Sequence, residues 1–271
     1  MITLYRPSGY DSPRASSFAG CSVDDKPLDV ENGSSFKEID TGRVFRYDKE
    51  NNLWIEQKST TGGGGATEPY IEETYDADGN LIGAKMYGYT KIRDKAFANC
   101  TSLAHVSFSE GLTSIGEDAF TNCSNLALTS LPEGLTSISN FVFANCSNLA
   151  LTSLPESLTS IGNYAFNYCT SLALTSLPAG ITSIGDGVFA NCSNLALTSL
   201  PAGITSIGNS AFYGCTSLTS ITFKGTPNAI AANAFNGCTN LTDIKVPWAE
   251  GAVSGAPWGA TNATITYNYT E

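Results

Sequence analysis

Seven of the eight cysteines in this chain recur at a constant interval of 23 residues: Cys100, Cys123, Cys146, Cys169, Cys192, Cys215 and Cys238. Three other apolar positions keep the same step. They are Phe97, Phe120, Phe143, Phe166, Phe189, Phe212 and Phe235; Leu103, Leu126, Leu149, Leu172, Leu195, Leu218 and Leu241; and Ile92, Ile115, Ile138, Ile161, Ile184, Ile207 and Ile230. A segment this short cannot enclose its own apolar edge, so each copy must lie against the next and the columns become continuous spines. That is the mark of a solenoid. With strand layers about 4.8 Å apart, the stack should extend roughly 34 Å.

Spacing also predicts the path of one coil. Ala119 and Phe120 stand four and three residues before Cys123, so a single helical turn over 116–123 places all three on one inward face. Leu126–Leu131 then reads as a short extended piece, ended by Pro132, which cannot extend a ladder. After a Glu133-Gly134 corner, Leu135–Ile138 forms a second extended piece. The central repeats carry one irregularity. Repeats one and six place apolar residues at offsets 0, 3 and 5 (Leu103, Val106, Phe108; Leu218, Ile221, Phe223), whereas the four central repeats place Leu at 0, 2 and 5. Their offset-3 residues, Thr129, Thr152, Thr175 and Thr198, either turn inward or the strand shifts by a bulge. The reading favoured is inward- or edge-facing threonines in a hydroxyl ladder.

The pattern Ile-Gly-x-x-Ala-Phe-x-x-Cys-x-x-Leu, with Leu-Thr-Ser-Ile-Gly closing each coil, resembles the BspA-type leucine-rich repeat over residues 92–245. Arg93, Ser139 and Ala231 depart from its Gly column, so that corner need not have positive φ, and Pro227 replaces the usual Leu or Ile. The resemblance implies a curved parallel-strand solenoid that acts by binding. The expected fold class is mainly β with short helical turns: a right-handed leucine-rich-repeat solenoid of 23-residue coils, plus a small N-terminal β module.

Charge divides the chain. Residues 1–60 carry ten acidic and eight basic side chains, whereas residues 123–214 carry only Glu133, Glu156 and Asp186. Between the two regions, the Gly-rich stretch 61–68 reads as a flexible linker. The expected organisation is an anchoring meander in 1–60, the linker 61–68, a cap hairpin in 69–91, seven repeats in 92–245 and a C-terminal cap in 246–271. Bare end coils would expose strand edges and core. Trp248 and Trp258 are therefore read as cap plugs. The stretch from Asn32 to Trp54 is similar to small modules of tailed-phage virion proteins, and 246–270 to endings of phage-encoded BspA-like proteins. That resemblance implies a virion anchor.

Little in the sequence carries catalytic chemistry. A net charge of -11 argues against a nucleic-acid partner. His105 is the single histidine, which removes most nucleophile–base pairs and zinc sites. Asp40-Thr41-Gly42 matches an aspartic-protease signature but has no second copy, and reads as a hairpin turn. Asp76, Asp78 and Asn80 lack the closing Glu of a calcium loop and also read as a turn. Glu133 and Glu156 stack in adjacent coils at a carboxylate spacing that would suit a retaining glycosidase, but on an exposed corner. The cysteine column has no Cys-x-x-Cys spacing and reads as free, buried thiols; the state of Cys21 stays open. No cofactor, metal or catalytic residue is expected.

The function expected from these features is a non-enzymatic structural and binding protein of a tailed-phage virion, in head or tail. Residues 1–60 would bind other virion proteins, and the solenoid would meet a host-surface glycan or protein in many copies. Candidate contact residues are Thr129, Thr152, Thr175, Thr198, Tyr164, Tyr168 and Tyr213. No membrane insertion is expected. The alternative is a bacterial cell-surface adhesin or interaction protein. The first 20 residues show no secretory signal, which weighs toward the virion.

Overall fold

The computed structural model describes the backbone of residues 2–3, 15–16, 35–37, 44–48, 53–57 and 69–270, with side chains for 69 and 71–270. Cys21, Asp40-Thr41-Gly42 and the Gly-rich stretch 61–68 lie outside the described residues. Toward the N-terminus, Ser35–Lys37, Val44–Asp48 and Leu53–Gln57 form an antiparallel sheet, and Ile2–Thr3 pairs with Ala15–Ser16. From residue 91 onward the chain winds as a solenoid of 23-residue coils, mainly β and without a helix among the described residues.

One face of the coil is a parallel ladder of two-residue strands. Lys91–Ile92, Ser114–Ile115, Ser137–Ile138 and Ser160–Ile161 pair in strict register, isoleucine beside isoleucine. Ser183–Ile184, Ser206–Ile207 and Ala229–Ile230 continue the arrangement. Each isoleucine is buried and each preceding residue is exposed or half-buried, the alternation of a strand with one wet face. The glycine that follows is required by close approach. A Cβ on Gly162 would sit 2.5 Å from the backbone of Ser139 and Asn140 in the preceding coil. The φ of these glycines is negative, in line with the residues that replace them in other coils.

The second extended face is a ladder only at its two ends. His105–Ser107 pairs with Leu81–Tyr87 of a hairpin whose other strand is Tyr70–Tyr75. Beyond the centre, Ser199–Leu200, Ser220–Phe223, Asp243–Lys245 and Thr264–Thr266 form a parallel sheet. In the three intervening coils no strand forms, and the backbone bonds reduce to contacts such as Ala127 N–H to the Ala104 carbonyl and Ala150 N–H to that of Leu128. The cause is arithmetic. Offsets 3 and 5 can both face inward from a pleated strand, whereas 2 and 5 cannot, because side chains alternate with period two. Leu128 and Leu131 are both buried, so the chain kinks between them and turns Thr129 and Ser130 outward. Of the two readings open for the offset-3 threonines, the inward one is corrected and the local shift is the one found: Thr129, Thr152, Thr175 and Thr198 are all exposed. Hydroxyl ladders form elsewhere, where Thr113 Oγ1 donates to the Thr90 carbonyl and Thr136 Oγ1 to that of Thr113.

The third edge was expected to be one helical turn. Its side chains do point as that turn would place them: Ala119, Phe120 and Cys123 are buried together. Its backbone is instead a chain of reverse turns. Thr121 N–H donates to the Asp118 carbonyl and Cys123 N–H to that of Phe120, while Asp118 and Asn122 take left-handed φ of 56° and 62°. The left-handed residues turn alternate amides outward, so Asp118, Phe120 and Asn122 donate to Asn140, Val142 and Ala144 of the next coil. A helix would spend those donors internally and leave the stack without a third ladder.

Within this frame the phenylalanines form one stack from Phe97 to Phe235, with successive centroids 5.0–5.8 Å apart and planes within 19° of parallel. Each cysteine closes a gap beside it. The Cys146 thiol donates to the Phe120 carbonyl at 3.0 Å, and Cys169, Cys192, Cys215 and Cys238 repeat the contact one coil further on. That carbonyl already accepts Cys123 N–H, so the thiol occupies its second lone pair.

At the far end Trp258 and Trp248 are buried against Phe223. Trp258 Nε1 donates to the Ser254 carbonyl, whereas Trp248 Nε1 is the one buried side-chain polar atom without a partner among the described residues. Trp258→Phe, which loses both the hydrogen bond and fully buried ring area, should cost about 2–3 kcal/mol of unfolding free energy in urea. Trp248→Phe, which loses buried ring area but also an orphaned donor, should cost less than Trp258→Phe. In the same assay Gly162→Ala should be destabilising by more than 1 kcal/mol, because backbone must move. Gly111→Ala, with open space around its Cβ, should be stabilising by about 0.5 kcal/mol.

Candidate binding surface

The coil geometry separates the candidate contact residues into two regions. Thr129, Thr152, Thr175 and Thr198 lie six residues after a cysteine, on the kinked extended segment. Tyr164, Tyr168 and Tyr213 lie five, one and two residues before one, on the reverse-turn edge. Beside Thr129, an open groove of about 680 Å³ runs between the first and second coils, lined by His105–Glu110 and Ala127–Gly134. It opens where the regular strand of repeat one meets the kinked segment of repeat two, so it is a product of the offset change. Glu110 and Glu133 line it, while Glu156 does not. His105 is an exposed strand residue.

The turn edge contains what sequence reading overlooked. Phe141 stacks on Tyr164 at 5.1 Å with planes 6° apart, and both rings stand outside the core. Phe141 escaped attention because it sits in the column that elsewhere holds Lys95, Asp118 and Ser210, and a phenylalanine two residues before the spine at Phe143 reads as core. The signal available was the column itself: a hydrophobic residue at a position that is polar in other coils. Along the same edge runs an amide chain, Asn145 Nδ2 donating to Asn122 Oδ1 and Asn122 Nδ2 to Asn99 Oδ1, each at 2.8 Å. Tyr168 takes the next place in that column.

Among the described residues, neither acidic nor thiol side chains gather into a metal-binding cluster. The Asp76 carboxylate is held below its ordinary pKa by the Asn80 side chain and by backbone amides of the hairpin turn, which consume its lone pairs. This is turn chemistry, and no group of metal-ligating side chains occurs among the described residues. Cys123, Cys146, Cys169, Cys192, Cys215 and Cys238 are free and buried. Cys100 departs from the free-thiol expectation: it is disulfide-bonded. Burial pushes the free thiols up, to about 12 at Cys123 and Cys238, from an ordinary 9.0. They are protonated packing groups.

The BspA type leucine rich repeat region family matches residues 90–215 and 159–251, in six copies and over more than half of the chain. The chain belongs to that family. Among solved structures, a leucine rich cell surface protein from Faecalibacterium prausnitzii matches at 26% identity with a TM-score of 0.56, covering 80% of this chain and 55% of that one. The chain thus spans little more than half the length of that relative. A leucine rich repeat protein of T. pallidum matches at 25% identity and TM-score 0.38, covering 65% and 81%. One from Bacteroides ovatus matches at 20% and 0.34, covering 72% and 75%. A comparison with curated proteins finds no match.

The thiol column makes stability depend on pH in a calculable direction. A thiol whose folded pKa is raised stabilises the fold fully below its unfolded pKa near 9.0, and that contribution is lost as pH climbs toward the folded value. The urea midpoint should therefore be unaffected by the thiols up to about pH 8.5 and decline between there and pH 12. Alkylation at pH 8 should leave the six thiols unmodified until the chain is unfolded. Labelling of native protein at ordinary thiol rates would contradict their burial.

Proposed function

We propose that this chain is a non-enzymatic binding protein displayed at a bacterial cell surface, where the solenoid attaches to a surface outside the cell. The observation that carries this reading is the exterior of the central coils. It is almost uncharged, is made of Ser, Thr and Asn on a rigid scaffold, and has its ionisable thiols sealed inside. Such a surface forms hydrogen bonds and stacking contacts and has no organised acid, base or nucleophile. The likeness to the Faecalibacterium surface protein supports the same compartment. Membership of the BspA-type family supports binding as the activity.

The sequence reading placed a tailed-phage virion first and the bacterial adhesin second; we reverse that order. The virion reading rested on 32–54, on 246–270, on the lack of a secretory signal in the first 20 residues and on the low charge of the repeats, whereas the family match and the surface-protein neighbour support the bacterial reading. No helix among the described residues is long and apolar enough to cross a membrane. Antibody raised against residues 92–245 should label intact cells of the source bacterium, and brief protease treatment of those cells should remove the label. Antigen confined to phage particles would restore the virion assignment.

A further inference from the structure

Phe141, Tyr168 and Tyr213 are the exposed large hydrophobic side chains among the described residues, at 37%, 51% and 42% exposure. All three lie on the reverse-turn edge. Three observations set that edge apart from an ordinary wet surface.

First, the aromatics stand where the backbone disfavours them. Phe141, Tyr164 and Tyr168 have φ of 55°, 56° and 58°, a left-handed conformation that asparagine, aspartate and glycine tolerate and bulky side chains resist. Other coils fill the same two columns with Asp118, Gly187 and Ser210, or with Asn122, Asn145 and Asn191. The fold therefore offers cheaper residues at these places. Strain that the core does not use points to a role at the surface.

Second, two of the rings are fixed by stacking and a third stands half exposed beside them. Phe141 and Tyr164 are stacked with centroids 5.1 Å apart and planes 6° from parallel, while Phe141 keeps 37% and Tyr168 51% of its surface exposed. Tyr164 in turn lies across Gly187, where a Cβ would fall 2.2 Å from its Cε1. The glycine clears the floor on which that ring rests.

Third, the rings are bordered by amides and by almost no charge. Tyr168 stands between Asn145 and Asn191 in one column, and Asn145 is the terminal donor of the amide chain that begins at Asn99. Asp186 is the one ionisable carboxylate in coils three to five on this side of the coil, and its Oδ1 is engaged by Asn209 N–H.

Resting on the binding role argued above, we propose that the turn edge around Phe141, Tyr164 and Tyr168 is a binding strip for a neutral oligosaccharide. Pyranose rings offer an apolar C–H face that stacks on an aromatic ring and an equatorial rim of hydroxyls that pair with amides. A strip of separate rings set among amides meets both needs. A protein partner would instead call for a contiguous apolar centre, and an anionic glycan would call for Lys or Arg, of which residues 123–214 have none.

The test uses the whole chain on an array of neutral hexose and N-acetylhexosamine oligosaccharides, with their sialylated and sulfated counterparts, and on eukaryotic cells before and after periodate oxidation. Wild-type protein should be retained by neutral glycans, and periodate should abolish its adhesion to cells. Tyr168→Asn and Phe141→Asp, which insert residues used at the same backbone positions in neighbouring coils, should lower retention at least tenfold while leaving the thermal midpoint equal or higher. Glu156→Gln, on the corner beyond the extended segment, should change neither. Adhesion that survives both periodate and Tyr168→Asn overturns the glycan strip and leaves the surface-binding reading standing. Absence of adhesion and of retention overturns both.

Discussion

Everything in this molecule follows from the inability of one coil to enclose its own apolar edge. The isoleucine, phenylalanine, cysteine and leucine columns are buried only because the next coil covers them, and the backbone is satisfied in the same way. On the strand face the N–H groups cross to the neighbouring coil by parallel pairing. On the turn edge they cross because left-handed residues rotate alternate amides outward, as from Phe143 to Ala165 and from Phe166 to Val188. Phenylalanine stacking and the thiol contact to the phenylalanine carbonyl then fill the space that these two ladders enclose.

The same constraint explains the chemistry of the exterior. A column that repeats in every coil places like residues beside like at the coil spacing. Charged columns would repel along the whole length, whereas Ser, Thr and Asn columns bond to one another, as the Asn99–Asn122–Asn145 chain and the Thr90–Thr113–Thr136 ladder do. A neutral hydroxyl-and-amide surface is thus a structural solution first. Departures from the column, such as Tyr168 among asparagines, change the surface while leaving the stack in place.

Much of this was legible beforehand, for a definite reason. A fixed period reports packing directly, so the four inward columns, the coil length and the exposed position of His105 could be read from spacing. What spacing could not give was backbone conformation. Residues three and four apart meet on a helical turn, but they also meet on linked reverse turns, and only the demand for hydrogen bonds between coils separates the two. For the threonines at offset 3 the inward reading was preferred to a local shift of the strand, although leucines at 2 and 5 cannot both face inward from a regular pleat and so favour the shift. Phe141 was hidden by its nearness to the spine, although its column is polar in the coils on either end. Cys100 looked like its six successors because a disulfide leaves no mark on the period.

The central claim is that the turn edge is a ladder between coils, equal in standing to the strand face. Hydrogen–deuterium exchange of the folded protein, resolved to single amides, tests it. The amides of Phe143, Phe166 and Phe189 on the turn edge should exchange as slowly as those of Gly162 and Gly208, which bond across the strand face, and all should be released in one cooperative event. Fast exchange on the turn edge beside a protected strand face would show that the phenylalanine edge is a loose loop, and the account built on it would fall.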